Sequence, residues 1–116
     1  MRDPRPLVDD SDSPVVVGVR CRHCSHPMAT TRPVCASCGG PVDEARFGPD
    51  GTVWSSTVVR IAVGDRIPPY VLAYVDLCEG PRVLVHVSGQ PTPPAVGSRV
   101  RLVPAVDGDI VVEVLT

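Results

Sequence analysis

Residues 21–41 read Cys21-Arg22-His23-Cys24-Ser25-His26-Pro27-Met28-Ala29-Thr30-Thr31-Arg32-Pro33-Val34-Cys35-Ala36-Ser37-Cys38-Gly39-Gly40-Pro41, which is two Cys-x-x-Cys pairs on one short stretch. Two residues between thiolates let the backbone curl so that both sulfurs meet one ion. Two such pairs close a tetrahedral shell with no open position, the pattern of a structural zinc. A redox Cys-x-x-Cys needs only one pair with a helix behind it, and Gly39-Gly40-Pro41 forbids that helix. The glycines instead suit the tight turn of a metal knuckle. Four thiolates would also hold iron; the prevalence of zinc in closed ribbons of this kind favours zinc. His23 and His26 lie in and beside the first knuckle, but with four sulfurs available they read as solvated loop residues. Residues 15–45 are therefore expected to form a zinc ribbon, with Cys21, Cys24, Cys35 and Cys38 as ligands and short strands over 15–20 and 30–34.

Outward from the ribbon, residues 1–14 carry three prolines and four aspartates without periodicity and read as a flexible tail. Residues 43–51 read as a link punctuated by glycine and proline. With 14 prolines and 10 glycines in 116 residues, no 3.6-residue pattern survives three turns, so an all-β chain is expected. Five strand-like runs follow, over 52–63, 69–78, 82–88, 98–104 and 110–115, separated by turn residues. Their spacing suits a five-stranded Greek-key barrel of the OB type over residues 46–116. Alternation marks the inward positions: Val71, Ala73, Val75 and Leu77; Val83, Val85 and Val87; Val100 and Leu102; Ile110, Val112 and Val114. A three-residue turn at Glu79-Gly80-Pro81 would place Leu77 opposite Val83, with both apolar rows on one face.

Charge and cysteine usage narrow the function. The net charge is −2 and all eleven basic residues are arginine, which speaks against a general polyanion binder. Five cysteines, an odd number, fit a reducing cytosol better than a secreted disulfide framework. The opening Met1-Arg2-Asp3-Pro4 has no leader pattern, and no apolar run is long enough to cross a bilayer, so a cytoplasmic protein is expected.

Candidate chemistry in the barrel is sparse. Cys78 and His86 are the residues that resemble a nucleophile and a base, but the expected register sets Cys78 opposite Arg82 and His86 opposite Tyr74, roughly 13 Å apart along the strands. No catalytic residue is expected. OB barrels hold single-stranded nucleic acid on exposed aromatics in a basic groove, and one Phe, one Trp and two Tyr make a thin platform for that. Arg60, Arg82, Arg99 and Arg101 fall on outward positions and form a candidate phosphate-binding set, against the alternative of a solvated charged face. Trp54, a large aromatic on an outward strand position, is a candidate partner contact or a cover for an open barrel end.

Several motifs occur together in order: the paired cysteines with Thr31-Arg32-Pro33-Val34 before Cys35; Gly51-Thr52-Val53-Trp54-Ser55-Ser56-Thr57-Val58-Val59; Pro69-Tyr70-Val71; Val75-Asp76-Leu77-Cys78-Glu79-Gly80; and Val96-Gly97-Ser98-Arg99-Val100. From Cys21 onward the chain resembles the acyl-CoA-associated family that joins a rubredoxin-like zinc ribbon to an OB fold. The resemblance implies a non-catalytic accessory subunit in a hetero-oligomer with a thiolase-fold enzyme, an acyltransferase, a side-chain aldolase or a MaoC-type hydratase, helping to shape the partner's acyl-CoA site. It departs from the family in three places. A short acidic tail stands where an N-terminal helix is usual, Ser25 where glycine is common after the first pair, and Cys78 where a polar residue is common. A single-stranded nucleic-acid-binding OB protein is the alternative.

Overall fold

The computed structural model describes residues 5–64, 66–89 and 92–115 and is all-β, with no helix among them. Nine strands follow in order: β1 (Leu7–Asp9), β2 (Val15–Cys21), β3 (Pro27–Met28), β4 (Val42–Phe47), β5 (Asp50–Val59), β6 (Tyr70–Leu77), β7 (Arg82–Val87), β8 (Arg99–Val106) and β9 (Asp109–Val114). The first four make the ribbon sheet, centred on β2. The last five close into a barrel of order β5-β6-β7-β9-β8, sealed by β5–β8 pairing and by a parallel β7–β9 contact. That is the five-stranded OB arrangement expected from the strand spacing.

Every inward position read from the alternation lies in or against the barrel core. Eleven of the twelve are buried, and Val114, the last, packs against them half-buried. Burying a Val or Leu side chain contributes about 1.5–3 kcal/mol, so these rows carry the barrel. Two further members come from the ribbon sheet, Val16 of β2 and Phe47 of β4. A second, smaller cluster joins Val19, Cys21, Met28 and Cys35. The single strand β2 thus feeds Val16 to the barrel core and Val19 and Cys21 to the smaller, cysteine-bearing core. Gly18 lies between them, where a Cβ would run into the Met28 carbonyl, so only glycine lets β3 close onto β2.

The structure corrects several sequence expectations. Residues 43–51 are mostly strand, because β4 pairs with β2 along six residues, from Val16↔Phe47 to Cys21↔Val42. Asp43, Glu44 and Arg46 hid this pairing, since their low strand propensity is overridden by a partner edge and by burial of Phe47. Residues 30–34 are a loop, and the ribbon hairpin is made by β3 instead. Part of the expected tail is ordered: β1 pairs with β2, Asp9 meets Arg46 at 2.6 Å, and Arg5 donates to the Asp107 carbonyl and the Asp109 carboxylate. Residues 1–4 of that tail lie outside the described residues. The first barrel strand ends at Val59, short of the expected 63.

The β6–β7 register differs by two residues from the expected one. Val75 faces Val83, Asp76 faces Arg82 and Leu72 faces His86. The turn is Cys78-Glu79-Gly80, with Glu79 at φ 53° and Leu77 N–H donating to the Pro81 carbonyl at 3.1 Å. A slip of two keeps parity, so the apolar rows still face inward. The tip is set by packing: a Cβ on Gly80 would lie 2.7 Å from the Phe47 ring.

Candidate metal centre and outer face of the barrel

The two knuckles repeat one backbone design. Ser25 N–H donates to the Cys21 carbonyl at 3.1 Å and Gly39 N–H to the Cys35 carbonyl at 2.9 Å. Cys21 N–H then reaches the His26 carbonyl, and Cys35 N–H the Gly40 carbonyl. The turn residue needs positive φ in both, 76° at Gly39 and 64° at Ser25, where the side chain makes that conformation costly. Inside each turn two N–H groups point at the leading sulfur, those of His23 and Cys24 at Cys21 and those of Ser37 and Cys38 at Cys35, at 3.3–3.5 Å.

This brings the four sulfurs within 4.8 Å of one another. Cys21 and Cys38 are 3.5 Å apart, Cys24 and Cys35 3.6 Å, and all are free thiols. A tetrahedral ion with ~2.3 Å metal–sulfur bonds separates its sulfurs by about 3.8 Å, so the set fits such an ion. The N–H of Cys24 above all, with that of His23, brings the Cys21 thiol down to about 6, and Cys35 is lowered by the N–H groups of Cys38 and Ser37. At Cys24 the His26 N–H pulls the other way, but burial and the neighbouring sulfurs push the thiol up to about 12. Four thiolates this close cannot all ionise without a cation between them. His23 and His26 are exposed and stand outside the sulfur set, the imidazole of His23 lying against Gly40.

Arg20 ties the first knuckle to the barrel. Its guanidinium donates to the Ser25 carbonyl at 3.0 Å and to the Glu79 carbonyl at the β6–β7 tip, and it lies over the Phe47 ring. The sequence reading missed this residue, because nothing in the local pattern brings positions 20, 25, 47 and 79 together.

The four outward arginines divide. Arg99 faces Thr52, Thr52 faces Asp76 and Asp76 faces Arg82, so these lie in one row across β8, β5, β6 and β7. Arg101, two positions along β8, pairs with Asp50 at 2.9 Å. Arg60 follows the other end of β5, roughly 26 Å from Thr52 along the strand. Arg82 is held by both oxygens of Asp76, and that contact lowers the Asp76 carboxyl.

Trp54 sits at a bulge between Val53 and Ser55 that turns it out of the barrel, 50% exposed. Arg82 lies 3.9 Å over its indole, and Tyr74 meets it edge-on at 6.2 Å. Tyr74 faces Leu84 on β7, and these two are 46% and 51% exposed. The outward phase of the same alternation that marked the core could have identified both. Cys78 is exposed at the hairpin tip, six residues along β6 from the position facing His86, so the two do not form a dyad. His86 packs on Tyr70 and lies 3.6 Å from Asp109, which Arg66 and Arg5 also hold. Burial, with Arg66 nearby, lowers the His86 pKa. No helix among the described residues is long and apolar enough to cross a membrane.

Comparison with known proteins places this geometry. The family described as the ChsH2 C-terminal OB-fold domain matches residues 44–104. DUF35 domain-containing scaffold proteins are similar. The one from Methanocaldococcus jannaschii is 32% identical over 59% of this chain and 51% of its own length, so the chain spans about half of that relative. The one from Methanothermobacter thermautotrophicus is 30% identical over 76% of this chain and 70% of its own. The Pyrococcus furiosus protein is 34% identical over 63% and 55% respectively. Among solved structures, a chain of the Ltp2-ChsH2(DUF35) aldolase superposes with TM-score 0.68 at 27% identity, covering 86% of this chain and 84% of that one. With a metal-fitting ribbon on a five-stranded OB barrel, and with the family match covering more than half its length, the chain belongs to the acyl-CoA-associated ChsH2 OB-fold family.

Proposed function

We propose that this chain is a non-catalytic accessory subunit that docks on an acyl-CoA-processing enzyme and helps to shape its acyl-chain site. The observation that carries this reading is the outer face of β5–β7. There Trp54, Tyr74 and Leu84 stand half-exposed together, and Arg82 is locked to Asp76 and stacked on the indole. Trp, Tyr and Arg are the types that concentrate interface energy, and holding them in place before contact lowers the cost of ordering them. The names of its relatives, scaffold proteins and a component of an aldolase assembly, support the same role. A thiolase-fold enzyme, an acyltransferase, an aldolase or a MaoC-type hydratase is the partner class.

Cys21, Cys24, Cys35 and Cys38 would hold a structural zinc, which supplies the closure that the small ribbon core lacks. Arg99, between the carboxylate-paired Arg82 and Arg101, is positioned to meet CoA phosphates at the subunit boundary, with Arg60 as a separate contact. Five free thiols suit the cytoplasm. Single-stranded nucleic acid is a poorer fit, because a guanidinium covers one face of the indole and Tyr74 stands edge-on to it.

The test is co-purification. A tagged chain should elute with an acyl-CoA enzyme, and Trp54→Ala should weaken that complex by about tenfold or more while the protein stays folded. Full recovery of the partner with Trp54→Ala would reject the anchor. Unchanged acyl-CoA affinity of the complex after replacing Arg99 and Arg101 would reject the phosphate contact.

A further inference from the structure

A second surface lies on another part of the molecule, at the free edge of β1. β1 and β3 occupy successive stretches of one side of β2, because β4 fills the opposite side along Val16 to Cys21. Among the described residues, no strand pairs with the outer edge of β1. A groove of about 680 Å³ runs along it, bounded by residues 30–32 on the ribbon and by the β8–β9 hairpin on the barrel. Its floor is apolar, from Val8, Val17 and Ala105, and Leu7 stands over it 68% exposed.

Three features of the groove specify an occupant. An unpaired strand edge offers main-chain hydrogen bonds to an extended polypeptide, and beside it an apolar floor takes alternate side chains. Thr30 and Thr31 add hydroxyl groups to one wall. Among the described residues lining the groove, the charged ones are arginines, Arg5 and Arg32, with no carboxylate. Arg5 is engaged by the Asp107 carbonyl and by Asp109, which leaves exposed Arg32 to set the charge preference. Pro6 supplies no N–H and β1 is only three residues long, so an incoming strand is limited to the Leu7–Asp9 register. Short length and proline are also how edges avoid indiscriminate pairing.

We propose that this groove docks an extended acidic segment of a partner polypeptide by strand addition to β1, with Arg32 contacting its carboxylates. This stands apart from the Trp54 face, since it uses the ribbon edge and the β8–β9 turn rather than β5–β7.

The experiment is an amide NMR titration of the full metal-loaded chain with a hexapeptide of alternating valine and glutamate, and with its valine–lysine counterpart, at ~0.1 M salt. The glutamate peptide should shift the amides of Leu7–Asp9 and Thr30–Arg32 and bind about tenfold or more tightly than the lysine peptide. Arg32→Glu, at an exposed loop position, should reverse that preference, whereas Trp54→Ala should leave it unchanged. Equal affinity for the two peptides, or shifts that miss β1, would overturn the proposal. So would displacement of the peptide by equimolar inorganic phosphate with shifts confined to Arg32, which would make the site a simple anion contact.

Discussion

The ribbon and the barrel are separate sheets, joined where β2 and β4 send side chains into the barrel core, and they are held by different forces. The barrel core gathers fourteen buried side chains, twelve from the barrel strands with Val16 and Phe47 from the ribbon sheet, and no metal-fitting group lies among them. The ribbon's own cluster holds four, two of them cysteines of the sulfur set. A cluster that small cannot offset the entropy of ordering the residues between Val15 and Phe47, so the ribbon's fold would be linked to an ion held by the sulfur set, whereas the barrel's would not. The regions meet through Val16 and Phe47 in the barrel core, with Val8, Ala29 and Ala45 packed against it, through Arg20 spanning both, and through Arg5 on the β8–β9 turn.

Metal removal tests that contrast most severely. Chelation, or Cys35→Ser, should strip from the ribbon most of a metal contribution on the order of 10 kcal/mol. Hydrogen exchange should then show amides from Val19 to Val42 losing protection while β6, β7 and β9 keep theirs. If the barrel amides open equally, the two regions are one cooperative unit and the contrast is wrong.

Arg20→Ala sharpens the boundary. It removes two hydrogen bonds from a charged donor and a contact over Phe47. A loss of about 1–3 kcal/mol is expected, with faster exchange at the Cys78–Gly80 tip and undiminished metal content.

A third test concerns the barrel alone. The folded state lowers the His86 pKa, from burial first and from Arg66 second, against the attraction of Asp109. Neutral imidazole is thus favoured on folding. The corresponding stability is complete above the unfolded value of 6.5 and is lost as pH falls through the lower folded value. Denaturant midpoints measured from about pH 7.5 to 5 should fall for the native chain and flatten for His86→Gln, with metal content followed in parallel because thiolate ligands also bind protons at low pH.

The smallest effect is expected at the knuckles. Ser25→Gly should stabilise the ribbon by about 0.5–1 kcal/mol by relieving positive φ, and Gly39→Ser should cost a similar amount, both read from metal affinity in a chelator competition.

Much of this architecture is readable from sequence, for reasons that differ by region. The Cys-x-x-Cys spacing needs only local geometry, so the sulfur set was recoverable without the fold. The barrel rows were recoverable because Val71 to Leu77 and Val83 to Val87 alternate without interruption. What stayed hidden depends on long-range partners. β4 carries three charges in six residues and is a strand because β2 has an edge to fill. The register of β6 on β7 is set by Gly80 packing on Phe47, a contact across 33 positions. Tyr74 and Leu84 were visible only as the outward phase, with no local signal that the bulge at Trp54 would gather them.

The claim underneath is that this chain completes another protein's site and has no chemistry of its own. The direct measurement is acyl-CoA turnover by the co-eluting enzyme as metal-loaded chain is titrated in, beside the chain alone. The account predicts no turnover by the chain alone and a saturable rise in the enzyme's rate, moved to about tenfold or more higher concentration by Trp54→Ala. Multiple turnovers by the purified chain, or an enzyme rate unmoved at saturation, would contradict it.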